Sequence, residues 1–201
     1  MKGPFHQTVS GERDESDIDR RALLAAIAAA SLVTISARSF AMAPIPLPTG
    51  RITDFDFLRG HWKVKHRALV EQRWQEFEGE VTSRPLLAGQ TNIDDNIWTW
   101  NGKTYRGLAV RVFDPHSSRW SIFWLDGQSP ERFGPPAVGG FSGNEGTFYG
   151  DEESQGKPVR VRLSWFIDGA DHARWEQAYS SDNEATWQPN WLWFFERTAS
   201  T

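Results

Sequence analysis

The chain contains no cysteine and only two methionines among its 201 residues. The absence of cysteine excludes disulfides, thiolate nucleophiles and cysteine-ligated metal sites. Basic residues are not in excess either, since 22 Lys and Arg stand against 26 Asp and Glu. Proteins that bind nucleic acid or an anionic membrane normally carry clustered Lys and Arg. We therefore expect no nucleic-acid partner.

Common catalytic motifs are also missing. Residues 140–144 fail the Gly-x-Ser-x-Gly elbow at the last position, and no glycine-rich phosphate loop precedes a helical pattern. His61 and His66 are five positions apart on one predicted strand, which puts them on opposite faces and disfavours a two-histidine metal site. A single axial histidine for haem is an alternative, but a surface or hydrogen-bonded role is favoured for each histidine. The sequence predicts neither a metal nor a cofactor.

The amino-terminal segment differs in kind from the rest of the chain. Residues 1–19 are polar, Arg20 and Arg21 follow, and residues 22–37 form a run rich in Ala, Leu, Ile and Val. The run is too short and too rich in alanine to span a membrane. An amphipathic or buried helix is the alternative, but it would need polar residues recurring within the run. This anatomy predicts a targeting peptide.

The arginine pair and the residues after the run indicate export. Residues 19–24 resemble a twin-arginine signal, and small-x-Ala patterns that end at Ala41 and Ala43 offer cleavage sites. We expect residues 1–43 to be an export signal that is removed, which leaves 17 Lys and Arg against 21 Asp and Glu. The mature protein would then be periplasmic or secreted, without stable insertion in a membrane.

Beyond residue 53, apolar and polar residues alternate, and Gly, Pro, Asp and Asn turns recur about every ten residues. Consecutive hairpins favour an up-and-down meander, and closing the meander removes its exposed edges. We predict an all-β fold, a closed or nearly closed antiparallel barrel of roughly eight to ten strands with room for one small ligand. Residues 44–53 would be a proline-rich linker and residues 54–198 the barrel. The predicted strands are 61–70, 74–84, 90–100, 104–113, 120–125, 137–142, 146–151, 158–167, 173–180 and 187–197.

The two ends of this region indicate how the barrel closes. Gly60 and Trp62 begin the first predicted strand, and Arg197 ends an aromatic last strand. The first and last strands of a closed meander are neighbours, so a guanidinium from the last strand can cover the indole of the first. Such a cation–π contact contributes about 0.5–2 kcal/mol. We expect Gly60, Trp62 and Arg197 to form the closure.

Several short motifs carry a family resemblance. They are residues 54–62 (Asp-Phe-Asp-Phe-Leu-x-Gly-x-Trp), 105–107, 113–115, 119–126 and 174–180. With these motifs the chain resembles a family of bacterial proteins that have a calycin-type, lipocalin-like barrel. The resemblance spans about residues 54–197 and implies the fold, but it carries over no catalytic residue. Residues 180–187 also resemble an Asp-box hairpin in which Glu184 replaces the expected glycine.

All eleven tryptophans lie beyond residue 61. Core packing is the better interpretation of any single tryptophan, because an indole buries a large apolar area. Their density across nearly every predicted strand also indicates a cavity lined by indoles that stacks a planar or apolar ligand. Trp120, Trp124 and Trp175 are our candidate ligand contacts.

The most unusual polar run is residues 92–96, in which Asn92, Asp94 and Asn96 would share one strand face. Carboxylates and amides are poor strand formers, so low strand propensity favours a water-facing loop or bulge. Alternatively, the run is a strand whose Asn92, Asp94 and Asn96 point into a lumen as ligand contacts. Adjacent Asp94 and Asp95 would face opposite sides, which argues against an acid and base pair on one substrate.

Arg111, Arg162 and Glu176 are further candidate ligand contacts. Arg111 shares its face with small and apolar residues, so its guanidinium needs a buried acceptor such as Asp94. The alternative for all three is the solvent face of a half-buried strand, and this alternative is favoured for Arg162 because Arg160 shares its face.

The sequence leads to three functional hypotheses: a binding protein, an enzyme and a structural protein. The leading hypothesis is an exported lipocalin-like barrel that binds a small, largely apolar or aromatic molecule in its indole-lined cavity. The second is a cofactor-free barrel enzyme of the isomerase, cyclase or hydratase type, which uses Asp94 or Glu176 as general acid or base. The third is a structural or interaction barrel with a filled interior and no ligand. The three hypotheses differ in whether the interior contains a cavity and whether a carboxylate lies inside it.

Overall fold

The computed structural model describes residues 46–154 and 156–198. The predicted export signal, residues 1–43, lies outside the described residues. The described part is almost entirely β-structure, and each predicted strand is present with ends that differ by three residues or fewer. The strands are β1 (Gly60–Val70), β2 (Arg73–Leu86), β3 (Thr91–Trp100), β4 (Lys103–Asp114), β5 (Arg119–Asp126), β6 (Ala137–Ser142), β7 (Glu145–Ser154), β8 (Lys157–Asp168), β9 (His172–Ser180) and β10 (Gln188–Arg197); single 3-10 turns lie at Asp56–Leu58 and Leu87–Gly89.

The sheet closes on itself. Each strand pairs antiparallel with the next, and β10 pairs with β1 to complete a ten-stranded up-and-down barrel. The closing register places Trp62 opposite Arg197 and Ala68 opposite Trp191. The predicted closed barrel is therefore confirmed.

Alternation of buried and exposed residues gives the sheet one apolar face, which encloses the core. In β1, Trp62, Val64 and His66 are buried, whereas the intervening Lys63 and Lys65 are exposed. Successive side chains of a strand point to opposite faces, so one face carries the apolar set and the other stays in water. Indole and phenyl rings make up just over half of the buried apolar core.

The tight turns follow from local chemistry. Asn101 and Gly102 join β3 to β4 with φ of 50° and 72°, the two positive values that a type I′ hairpin requires. Between β4 and β5, the Asp114 carboxylate accepts hydrogen bonds from the backbone N–H of His116 at 2.9 Å and from the Ser117 hydroxyl at 2.6 Å. Each turn thus holds its two strands in register.

The turn between β9 and β10 has the hydrogen bonds of an Asp-box. Asp182 Oδ1 accepts from the Thr186 backbone N–H at 3.0 Å, and its Oδ2 accepts from the Thr186 hydroxyl at 2.6 Å. Glu184, which stands in place of glycine, has φ of 67°. Its carboxylate accepts a hydrogen bond from Arg160 Nε at 2.8 Å. The turn therefore forms without glycine, with an ion pair at the unusual position.

The segment before β1 packs across one end of the barrel, here called the closed end. Phe55 and Leu58 are buried there, and the Trp120 indole N–H donates to the Arg51 carbonyl at 2.9 Å. Gly50 N–H donates to the Ser118 carbonyl at 2.7 Å. A Cβ on Gly140 would lie 2.3 Å from the Thr49 carbonyl carbon, so glycine is required for this close approach. The described part of the predicted linker, residues 46–53, thus lies against the barrel.

Arg197, at the end of β10, connects the last strand to the first strand and to the segment that precedes it. Its guanidinium lies 4.1 Å from the centroid of the Trp62 indole and donates to the carbonyls of Phe57 and Arg59, each at 2.6 Å. The Trp62 N–H in turn donates to the Leu58 carbonyl at 2.7 Å. The expected cation–π contact between the first and last strands is present.

Candidate functional site

Strand β3 carries a row of polar side chains into the barrel. Asn92, Asp94 and Asn96 are each 1–3% exposed, and the run pairs without interruption to β2 and β4. The interpretation of this run as a water-facing loop is wrong. Ladder hydrogen bonds on both sides hold the backbone extended, and partners inside the barrel offset the low strand propensity of these residues.

The main partner is Arg111, which reaches the same interior from β4. Its Nη2 lies 2.5 Å from Asp94 Oδ2, and its Nη1 donates to Asn92 Oδ1 at 2.6 Å. Asn92 Nδ2 donates to the Ser83 hydroxyl at 3.1 Å. The expectation that Arg111 needs Asp94 as a buried acceptor is confirmed. Here we call Ser83, Asn92, Asp94, Asn96 and Arg111 the polar cluster.

Two aromatic rings flank the guanidinium of Arg111. Its Cζ lies 4.7 Å from the ring centroid of Phe55 and 5.5 Å from that of Trp165. The negative faces of such rings favour a cation, and the effect is larger where water is excluded. The segment across the closed end therefore helps to hold Arg111 in place.

Some polar atoms of the cluster retain hydrogen-bonding capacity. Asp94 Oδ1, Asn96 Oδ1 and Arg111 Nε are buried and have no hydrogen-bond partner among residues 46–154 and 156–198. The Asn96 amide N–H group is used, since it donates to the Asp94 and Gly107 carbonyls at 3.0 and 3.1 Å. A buried polar atom without a partner costs about 1–3 kcal/mol. The polar cluster thus retains two unsatisfied acceptors and one unsatisfied donor beside the cavity.

Four indoles lie on the side of the polar cluster away from the closed end. The ring centroids of Trp175 and Trp193 are 5.0 Å apart, those of Trp191 and Trp193 are 5.2 Å apart, and Trp124 lies 6.3 Å from Trp193. The interplanar angles of 57–76° are tilted or edge-to-face, as aromatic pairs prefer. We call Trp124, Trp175, Trp191 and Trp193 the indole cluster.

A cavity of about 30 Å³ lies between the polar cluster and the indole cluster. A volume of this size holds about two water molecules. The remaining walls are apolar. The cavity is lined by Asp94, Asn96 and Arg111, by Trp124, Trp165, Trp175, Trp191 and Trp193, and by Ala109, Ile122 and Leu163.

The structure brings together most of the candidate ligand contacts. Asp94, Arg111, Trp124 and Trp175 line the cavity, and Asn92 bonds to Arg111 directly behind it. The indole of Trp120 is buried farther toward the closed end, where its ring packs against Phe55 and Phe113. Trp120 therefore lies outside the cavity wall.

Arg162 and Glu176 lie elsewhere, on the outer face of β8 and β9. Arg162 Nη2 is 3.6 Å from Glu176 Oε1, and the Arg162 guanidinium lies 4.7 Å from the Trp187 ring centroid. The buried Val161, Leu163 and Trp165 fix the inward face of β8, so Arg162 points outward. Of the two carboxylates weighed as an acid or base, Asp94 alone is in the interior.

Six cavity residues were not among the candidate contacts: Ala109, Ile122, Leu163, Trp165, Trp191 and Trp193. Each lies on the buried face of its strand; Trp165 shares that face with Leu163, and Trp191 and Trp193 share it with Phe195. The period of two in β4, β5, β8 and β10 carries that signal. Sequence alternation identifies such inward positions, but it does not tell which of them border open space.

His66 lies in the barrel interior among aromatic rings. Its imidazole stacks on Phe77 at 4.7 Å and meets Trp193 edge-on at 4.6 Å. Burial lowers the pKa of His66 to about 3, so the imidazole is neutral at pH 7. Both ring nitrogens lack a hydrogen-bond partner among the described residues. The neutral imidazole packs here as one more flat ring of the aromatic core.

The described residues contain no group of three or more His, Asp or Glu side chains arranged to hold a metal ion. Within the same part of the chain, no helix has the length and apolar character needed to cross a membrane.

Comparisons with known proteins identify similar barrels. No family model matches the chain, and no curated protein matches it. Among solved structures, a redesigned β-barrel is 12% identical, with 75% of this chain and all of the other covered and a TM-score of 0.43. EF1p2_mFAP2b bound to DFHBI is 12% identical, with 74% and 100% covered and a TM-score of 0.42. A protein of unknown function from the DUF3598 family of Nostoc punctiforme is 9% identical, with 75% and 100% covered and a TM-score of 0.21.

Proposed function

We propose that the barrel binds a small molecule in the cavity between the polar cluster and the indole cluster. The observation that carries this proposal is the set of unpartnered polar atoms, Asp94 Oδ1, Asn96 Oδ1 and Arg111 Nε, on side chains buried beside that cavity. An interior built only for packing would be more stable with apolar residues at these positions. A ligand that bonds to these atoms removes the penalty of their burial.

The wall chemistry supports a largely apolar or aromatic ligand. Eight of the eleven residues that line the cavity are apolar or indole side chains, and pockets for small molecules combine such walls with a few fixed polar groups. The polar cluster would orient the ligand, and the indoles would contact its rings or alkyl groups. This division of roles follows the lipocalin-like hypothesis drawn from the sequence.

The size of the cavity sets how binding occurs. About 30 Å³ is too little for an aromatic ring, since a cavity that binds benzene has a volume of about 150 Å³. A ring therefore enters only when an indole of the cluster turns aside. The four indoles of the cluster are only 3–8% exposed, so the ring must displace a buried side chain. Binding would be slow and would alter tryptophan emission.

Export of the barrel is part of the proposal. The leader anatomy of residues 1–43 supports passage to the periplasm or beyond, and a twin-arginine route would carry the barrel across already folded. Cell fractionation tests this step: Arg20→Lys with Arg21→Lys should leave the full-length protein in the cytoplasm. Unchanged export of that variant would contradict the twin-arginine route.

Native mass spectrometry tests the binding function. The protein is purified from its own host and its native mass is compared with its denatured mass. We expect an additional non-covalent mass in the wild type and its loss or reduction in Arg111→Met. The variant Arg106→Met, which changes an exposed arginine of the same strand, should retain the mass. Equal native and denatured masses, with unchanged emission across a ligand panel, would contradict the proposal.

The second candidate is a structural barrel without a ligand. The observation that favours it is the dense aromatic packing that leaves only about 30 Å³ open. This candidate expects the polar cluster to act only as a fold-specifying network. It would be supported if no molecule bound to the wild type or to a variant with one indole of the cluster removed.

A further inference from the structure

We infer that the ligand of this cavity is an uncharged, planar molecule with a hydrogen-bond donor and an acceptor side by side, as in an aromatic amide. The inference rests on the proposed function and adds the chemical class of the ligand to it. The charge of the site, its unsatisfied hydrogen-bonding groups and the shape of its walls each restrict the ligand.

The charge of the site is already balanced. Arg111 and Asp94 are the two ionisable residues that line the cavity, and they pair with side chains only 4% and 2% exposed. A charged ligand would place a third charge in this interior without a counter-ion. Isolated buried charges are strongly disfavoured unless they are paired. The site therefore selects neutral molecules over ions of the same shape.

Both hydrogen-bond donors and hydrogen-bond acceptors remain unsatisfied beside the cavity. Asp94 Oδ1 and Asn96 Oδ1 need a donor, and Arg111 Nε needs an acceptor; none has a partner among the described residues. The indole N–H groups of Trp165 and Trp193, on side chains that line the cavity, are likewise unpartnered within that part of the chain. An amide supplies an N–H for a carboxylate or amide oxygen and a carbonyl for Arg111 or an indole. A ligand with only one of the two functions leaves some of these groups unsatisfied.

The walls beyond the polar cluster favour a flat ring. Trp175 and Trp193 meet at 57°, and Trp124 and Trp193 at 76°. These surfaces offer faces and edges to an inserted aromatic ring, which contacts both favourably. Ile122 and Leu163 complete the apolar walls.

Four probes of nearly equal size separate these features: benzamide, benzoate, benzamidinium and acetophenone. Benzamide is neutral with a donor and an acceptor, benzoate is an anion with acceptors alone, benzamidinium is a cation with donors alone, and acetophenone is neutral but lacks the donor. We expect benzamide to bind at least tenfold more tightly than each of the others, measured by calorimetry and tryptophan emission at pH 7. The same order is expected in Trp124→Ala, where loss of one indole gives a ring more room.

Substitutions in the ion pair should change the preferred charge. Asp94→Asn leaves Arg111 unpaired and should move the preference to benzoate, and Arg111→Met should move it to benzamidinium. Asp95→Asn, at the adjacent exposed position, should keep the wild-type order. Near-UV circular dichroism verifies that each variant is folded, and Trp124→Ala keeps the test valid if an ion-pair variant does not fold.

The outcomes separate the inference from the function on which it rests. Tightest binding of benzoate, benzamidinium or acetophenone to the wild type and to Trp124→Ala would overturn the neutral donor-and-acceptor class while leaving a binding barrel. Absence of binding of all four probes to both proteins would overturn the inference together with the proposed function. An unchanged order in Asp94→Asn would also overturn it, because the ion pair would then not set the preference.

Discussion

Asp94 and Asp95 are neighbours in sequence, yet the barrel wall separates their carboxylates. The Asp94 side chain is 2% exposed and contacts Arg111 at 2.5 Å, whereas the Asp95 side chain is 67% exposed and lies 3.9 Å from Arg106. Strand alternation alone produces this difference. The two positions allow the same chemical change to be compared inside and outside the barrel.

Neutralising Asp94 should destabilise the protein far more than neutralising Asp95. Asp94→Asn leaves the buried guanidinium of Arg111 without its counter-charge, which costs about 3–5 kcal/mol when one partner of a buried pair is removed. Asp95→Asn should change the free energy of unfolding by about 0.5 kcal/mol or less, because the Asp95 pair is exposed. Urea unfolding of both variants measures the difference. Equal effects would show that the interior pair is not energetically distinct.

Arg197 and Trp62 should be energetically coupled. A double-mutant cycle with Arg197→Met and Trp62→Leu should give a coupling energy of about 0.5–2 kcal/mol, since the guanidinium lies over the indole. The cycle uses the free energy of unfolding in urea. In the control cycle, Arg59→Met replaces Arg197→Met and should give a coupling energy near zero, because the Arg59 side chain is 63% exposed. Additive effects in the first cycle would contradict a closure based on this contact.

The turn at Glu184 should be improved by glycine. A residue other than glycine in the left-handed region costs about 1–2 kcal/mol, and a partly exposed ion pair such as Glu184–Arg160 contributes about 0–1 kcal/mol. Glu184→Gly should therefore stabilise the protein by about 0.5–1 kcal/mol, whereas Glu184→Ala should destabilise it because it loses the ion pair and keeps the backbone strain. Thermal unfolding compares the two variants. Destabilisation by glycine would mean that the ion pair dominates.

His66 should make the protein less stable in acid. Burial lowers its pKa from 6.5 to about 3, so between these values the unfolded chain binds a proton that the folded protein does not. The contribution of neutral His66 is fully present above pH 6.5 and is lost as the pH falls toward 3, at about 1.4 kcal/mol per pH unit.

The variant His66→Leu tests this contribution because it removes the titrating group. As the pH falls from 6.5 to 5, the difference between the free energies of unfolding of the variant and the wild type should shift by about 2 kcal/mol in favour of the variant. Urea unfolding at several pH values provides the comparison. Parallel curves for the two proteins would show that His66 is protonated equally in the folded and unfolded states.

The strands could be predicted from sequence because turn chemistry and alternation are local. Asn101 and Gly102 specify a hairpin by themselves, and the interval between such turns defines the strands. The polar run at residues 92–96 was harder to interpret, because the group that offsets its cost is Arg111, nineteen residues away. Its strand propensity alone indicated a loop.

The site was predicted only in part, for reasons that are not local. Arg111 and Arg162 each interrupt an apolar strand. They differ in the residue two positions earlier on the same strand face, which is Ala109 for Arg111 and Arg160 for Arg162. The face of Arg162 turns outward in the closed barrel. Which inward residues border the cavity depends on the orientation of large indoles, and a sequence pattern does not contain that information.

The most direct test of an interior ligand site is the indole region of a ¹H–¹⁵N NMR spectrum recorded during titration with benzamide. The chain has eleven tryptophans, and single Trp→Phe variants assign their signals. We predict shifts for the five tryptophans that line the cavity, Trp124, Trp165, Trp175, Trp191 and Trp193. Signals should stay constant for Trp74 and Trp187, which contact Arg67 and Arg162 on the outer face. Shifts confined to Trp74 or Trp187, or no shifts at a saturating concentration, would contradict a binding site inside the barrel.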